Sequence, residues 1–169
     1  MSRQEFWIVV LLGITGLAGV GVGIVATVTW MEKRERPDPA VTYRDWSELL
    51  AELELRYRLA EKEEDSCKIV FEYDGGTLQA VTVAHYESMS HHWVDFTSGV
   101  AASDAFPAEQ ALERSFSMGA GGYVLDDDTF VIRAQMPLNR LDWTTVELYL
   151  HAVAWAANEA EVETGQDKF

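Results

Sequence analysis

Residues 67–86 read Cys67-Lys-Ile-Val-Phe-Glu-Tyr-Asp-Gly-Gly-Thr-Leu-Gln-Ala-Val-Thr-Val-Ala-His-Tyr86. Two runs rich in β-branched and aromatic residues flank Asp74-Gly75-Gly76, where glycine accepts the positive φ that a tight hairpin turn requires. The stretch predicts a strand over Cys67–Tyr73, a turn, and a second strand from Thr77 to Tyr86. A hairpin pairs its two strands antiparallel, so this stretch sets the character of the sheet.

Upstream, Trp46, Leu49, Leu50, Leu53, Tyr57 and Ala60 recur at three- and four-residue spacing, with Glu48, Glu52, Arg56 and Glu63 on the other side. That is the apolar stripe of an amphipathic helix, capped by Thr42 and ended by the charged run Glu61–Asp65. Downstream, His92–Thr97 reads as a third strand and Ser98–Phe106 as loop. Pro107 suits the first turn of a helix over Ala108–Phe116 that packs Ala111, Leu112 and Phe116. Gly119-Ala-Gly-Gly122 breaks that helix. Tyr123–Leu125 and Thr129–Gln135 form a second hairpin around Asp126-Asp-Asp128. Asp142 caps a last helix whose core stripe is Val146, Leu150, Val153 and Ala157. The predicted order is α-β-β-β-α-β-β-α, an α+β domain over residues 41–162 with a mainly antiparallel sheet packed by helices. A polar tail, 163–169, follows.

The N-terminal part reads differently. After a five-residue flank, residues 6–30 (FWIVVLLGITGLAGVGVGIVATVTW) contain no charge. As a helix they are long enough to cross a hydrocarbon core of roughly 30 Å, with Trp7 and Trp30 near the interfaces. The expectation is a single transmembrane helix, then a linker at 31–40 containing Pro37 and Pro39. A cleaved signal peptide fits less well because the apolar run is too long, and a buried helix of a water-exposed domain would normally carry a polar face. Basic residues Lys33, Arg34, Arg36 and Arg44 outnumber Arg3, which predicts a cytoplasmic C-terminal domain. Gly19-x-x-x-Gly23, with Gly16 beside it, is a candidate helix–helix contact within the bilayer.

The chain carries 28 Asp+Glu against 13 Lys+Arg, a formal charge of −15. Such a surface repels phosphate backbones, so nucleic acid is excluded as a partner. One cysteine, Cys67, excludes an internal disulfide framework. His91 and His92 with Asp95 are ligand types that suit zinc, but adjacent strand residues point to opposite faces. Asp126-Asp127-Asp128 lacks the acid spacing of a calcium loop. Gly119–Gly122 precedes a strand, whereas phosphate cradles open a helix. Cys67 beside Lys68, and Ser88 and Ser90 near His91, are thin grounds for nucleophilic catalysis. No catalytic, cofactor or metal residue is assigned on sequence. Aromatic residues favour interfaces, and Trp93, Trp143 and Trp155 are the candidate partner-binding surface. Trp143 and Trp155 lie about 120° apart on one helix, so one of the two falls outside the core stripe.

The element order, together with Gly121-Gly-Tyr-Val-Leu-Asp-Asp-Asp-Thr-Phe-Val-Ile-Arg-Ala-Gln-Met-Pro-Leu138 running into a long acidic-ended helix, resembles the YbjN-type branch of the type III secretion chaperone-like fold. The resemblance spans roughly Val41–Glu161 and brings no residue motif to transfer. It implies a small acidic domain, often homodimeric, that binds extended segments of partner proteins. The sequence as a whole therefore predicts a membrane-anchored, non-enzymatic protein-binding module, chaperone-like or regulatory, with protein partners at the membrane. The alternative is a structural accessory subunit of a membrane complex. A metal-dependent hydrolase is a third class, which stoichiometric bound metal would reveal.

Overall fold

The computed structural model describes residues 42–73 and 75–164. In chain order the elements are α1 (Trp46–Arg56), β1 (Leu59–Lys62), β2 (Ser66–Glu72), β3 (Leu78–Ser88), β4 (His91–Ala102), α2 (Ala108–Ser117), β5 (Gly122–Asp126), β6 (Thr129–Pro137), a 3-10 turn at Leu138–Arg140, and α3 (Trp143–Thr164). The six strands form one sheet in the order β1-β2-β3-β4-β6-β5, and every neighbouring pair is antiparallel. The fold is α+β.

The expected architecture needs two corrections. The first is a strand. The expected first helix stops at Arg56, where Tyr57 turns extended (φ −125°, ψ 149°), and Leu59–Lys62 pairs with β2. Tyr57 and Ala60 fit helical spacing as well as they fit a short strand. Backbone pairing makes it a strand, with Leu59 opposite Ile69 and Lys62 opposite Cys67, and Lys68 reaches Glu61 at 2.6 Å beside it. The second correction concerns the membrane. Among the described residues no helix is long and apolar enough to cross one. The segment on which the span was placed, residues 6–30 with Gly16, Gly19 and Gly23, lies outside the described residues, as does the 31–40 linker. The architecture of the described residues is the α+β body alone, which corrects the expected single-pass membrane protein with a cytoplasmic domain.

Three local features show how the chain builds the sheet. Asp45, not Thr42, caps α1, its carboxylate accepting from the Glu48 amide at 3.1 Å. Met89 and Ser90 both adopt positive φ (53° and 61°), closing the β3–β4 hairpin with a two-residue turn made without glycine. β4 runs on through Ser98–Ala102, the expected loop. The register shifts between Gly99 and Ala101, so Val100 and Ala101 are both buried.

One face of the sheet holds the core. Cys67 and Ile69 of β2, Val81 and Val83 of β3, Val94 and Phe96 of β4, and Phe130, Ile132 and Ala134 of β6 pack with Leu49 and Leu53 of α1 and with the inward row of α3, Val146, Leu150, Val153 and Ala157. Phe96 stacks on Tyr149 of α3 at 5.6 Å, and Phe71 meets His151 edge-on at 5.2 Å. Asp142 caps α3 as expected, accepting from Thr145 N at 2.7 Å. On the opposite face Val70, Thr82, Ala84, Tyr86, Trp93, Thr97 and Gln135 stay exposed or half-exposed.

Candidate functional site

α2 is short and amphipathic, but its covered side is narrow. Ala111 is buried, whereas Leu112 and Phe116 are 65% and 93% exposed, so the expected packing of those two side chains is corrected. Ser115 ties the helix down: its hydroxyl donates to Ala111 O (2.9 Å) and accepts from Tyr123 N (2.9 Å). Arg114 pairs with Glu163 of α3, and its guanidinium lies 5.6 Å over the Phe106 ring. Phe106 in turn stacks on Tyr123 at 5.2 Å and meets Phe130 edge-on at 5.6 Å. The connection to β5 turns at Gly121, φ +73°, where a Cβ would sit 2.5 Å from the Arg133 carbonyl oxygen; only glycine fits.

Between this connection and α3 runs an apolar groove of about 570 Å³, within the range of ligand-binding clefts. Arg114 and Ser117 of α2 with Met118, Gly119, Ala120 and Tyr123 form one wall. Leu148, Ala152, Trp155, Ala156 and Glu159 form the other. The α3 wall is an i, i+4, i+7, i+11 row beginning at Leu148, so those side chains share one flank of the helix while the core row faces the sheet. Leu148 is 61% exposed and Trp155 55% exposed. A row of large apolar side chains left outside the core is the mark of an interaction surface. The field around it is negative: Glu109 and Glu113 are exposed on α2, Glu159 and Glu163 lie on the groove flank of α3, and Arg114 is the sole Lys or Arg of the two helices.

The three tryptophans read as one surface are not brought together. Trp155 lines the groove. Trp143 is buried, with the Arg56 guanidinium 4.3 Å over its ring and Tyr57 alongside, so it is not a partner contact. The helical-wheel reading that one of the pair leaves the core holds, and Trp155 is that one. Trp93 lies half-buried on the open sheet face, its Nε1 donating to Ser88 O at 3.3 Å. Sequence reasoning missed Leu148, Ala152 and Met118. Leu148 and Trp155 are seven residues apart, a spacing that already put them on one face.

The candidate chemistry resolves into structural roles. His91 and His92 diverge on β4, and His92 Nδ1 instead meets His85 Nε2 at 3.0 Å, with Trp46 stacked on His85 at 5.7 Å. Among the described residues no group of three or more His, Cys, Asp or Glu side chains is placed to hold a metal ion. Burial pushes the Cys67 thiol up to about 11, away from thiolate chemistry. On the open face Asp95, 7% exposed, takes Arg133 Nε at 2.7 Å and Nη2 at 2.5 Å. The Gln135 amide, in the orientation its neighbours' donors demand, accepts from Arg133 and from the Tyr86 hydroxyl at 3.1 Å. The Arg133–Asp95 bond holds the guanidinium firmly charged. Neither the protein-family models nor the curated proteins give a match to this chain.

Proposed function

We propose that this chain is a non-enzymatic protein-binding module that takes an apolar segment of a partner polypeptide into the groove between the α2–β5 connection and α3. The observation that supports this reading is the Leu148–Ala152–Trp155 row, which leaves a large aromatic and an aliphatic side chain outside the core beside a ready-formed cleft. Aromatic anchors in such clefts carry most of the affinity of protein interfaces. The buried Cys67 thiol supports a binding role over thiolate catalysis.

The test uses a fluorescein-labelled helical peptide with leucine at i, i+4 and i+7 and glutamine elsewhere. Anisotropy titration is expected to show saturable binding. Trp155→Ala, removing a central aromatic anchor, is expected to weaken it roughly thirtyfold, and Leu148→Ser to weaken it further. The reading fails if the peptide does not bind, or if both variants bind it as the parent does while their circular dichroism is unchanged.

A further inference from the structure

Resting on that groove reading, we infer that the partner segment is a basic amphipathic helix: leucine-type anchors along one face, flanked by lysine or arginine. Shape and charge carry this independently. From Leu148 to Glu159 the groove follows twelve residues of α3, about 16 Å or three helical turns at the α-helical rise. That length accepts a helix of comparable extent lying alongside, with anchors one turn apart. Met118 on the facing wall is a flexible side chain that adapts to such anchors.

The charge picks among helices. Arg114 and Glu159 are the charged side chains that line the groove. Arg114 pairs with Glu163 of α3, so the groove keeps the charge of Glu159. Glu109 and Glu113 are exposed on α2. A neutral apolar helix would leave these carboxylates unanswered, an acidic one would be repelled, and a lysine-flanked one is drawn in. The same charges argue against a second copy of this chain as occupant, because two such faces would set Glu109, Glu113, Glu159 and Glu163 with Arg114 against the same set.

Three peptides of one apolar pattern test this, with glutamine, lysine or glutamate at the flanking positions. The lysine peptide is expected to bind roughly tenfold tighter than the glutamine peptide at 50 mM salt, a margin of a few weak surface pairs that shrinks at 500 mM. Glu109→Lys with Glu113→Lys, on the exposed flank of α2 outside the groove lining, is expected to erase most of the lysine preference while leaving the glutamine peptide unchanged. Equal affinity for all three peptides, or a preference for glutamate in the parent chain, overturns the inference and leaves the groove reading standing. No binding by any of the three overturns both. A homodimer in sedimentation that Trp155→Ala dissociates assigns the groove to a second copy and overturns the inference as well.

Discussion

Replacing Gly121 by alanine isolates the turn that shapes the groove. At φ +73° an alanine costs about 1–2 kcal/mol from crowding between its Cβ and the following carbonyl. The added Cβ also meets the Arg133 carbonyl oxygen at 2.5 Å and the Ala134 Cβ at 3.1 Å, distances that no relaxed contact holds. β5 must then draw back from β6 where Gly122 faces Arg133, weakening a ladder hydrogen bond worth about 1 kcal/mol. The sum is a destabilisation of about 2–3 kcal/mol. With a urea slope of about 1.5 kcal/mol/M, the midpoint falls by about 1.5 M. Gly119, two residues earlier, is the control: a Cβ there meets nothing within 4 Å and the backbone is not left-handed, so Gly119→Ala is expected to be neutral or stabilising by up to about 1 kcal/mol. Urea unfolding followed by tryptophan fluorescence measures both. Gly121→Ala lying within about 0.5 kcal/mol of the parent, or Gly119→Ala proving equally harmful, refutes the reasoning.

Two further outcomes follow from buried groups. Asp95→Leu takes the carboxylate from Arg133, leaving it Gln135 and solvent, and is expected to cost about 1–2 kcal/mol, whereas Asp95→Leu combined with Arg133→Met recovers most of that loss; the double-mutant cycle of these two substitutions in urea measures the coupling, and additive single effects would contradict it. Burial holds His151 below its usual value of 6.5, so the unfolded chain takes up the proton first as pH falls. That contribution is fully present above about pH 6.5 and is lost as pH drops below it toward the depressed native value. The urea midpoint should therefore decline from pH 7 to pH 5, and His151→Leu should flatten part of that slope.

Wherever a single periodicity ruled, the chain's order could be read directly. Asp74-Gly75-Gly76 and Asp126–Asp128 mark two hairpins, and the Val146/Leu150/Val153/Ala157 row marks the buried side of α3. Reading failed where two patterns fit the same residues. Ala60 continued the helix spacing of Tyr57, while backbone pairing of Leu59–Lys62 with β2 made that run a strand. Ser98-Gly99 looked like loop because nothing in the sequence shows that the Ser98 hydroxyl finds Ala80 O at 2.7 Å across the sheet. Leu112 and Phe116 looked like core because apolar character alone cannot say that α2 is covered only along Ala111. The candidate site was half visible: Trp155 stood outside the core row, but the facing wall from Met118 to Tyr123 comes from a connection whose path depends on tertiary contact with Arg133.

The sheet ends at both sides in very short strands, four residues in β1 and five in β5. β1 carries Glu61 and Lys62 in ion pairs, and β5 closes on Asp126. Unsatisfied backbone at a long, flat border would invite other chains to zip on, strand by strand, into fibrils. Here both borders are brief, and the β1 border carries ion-paired charge, so neither offers a long template for such growth.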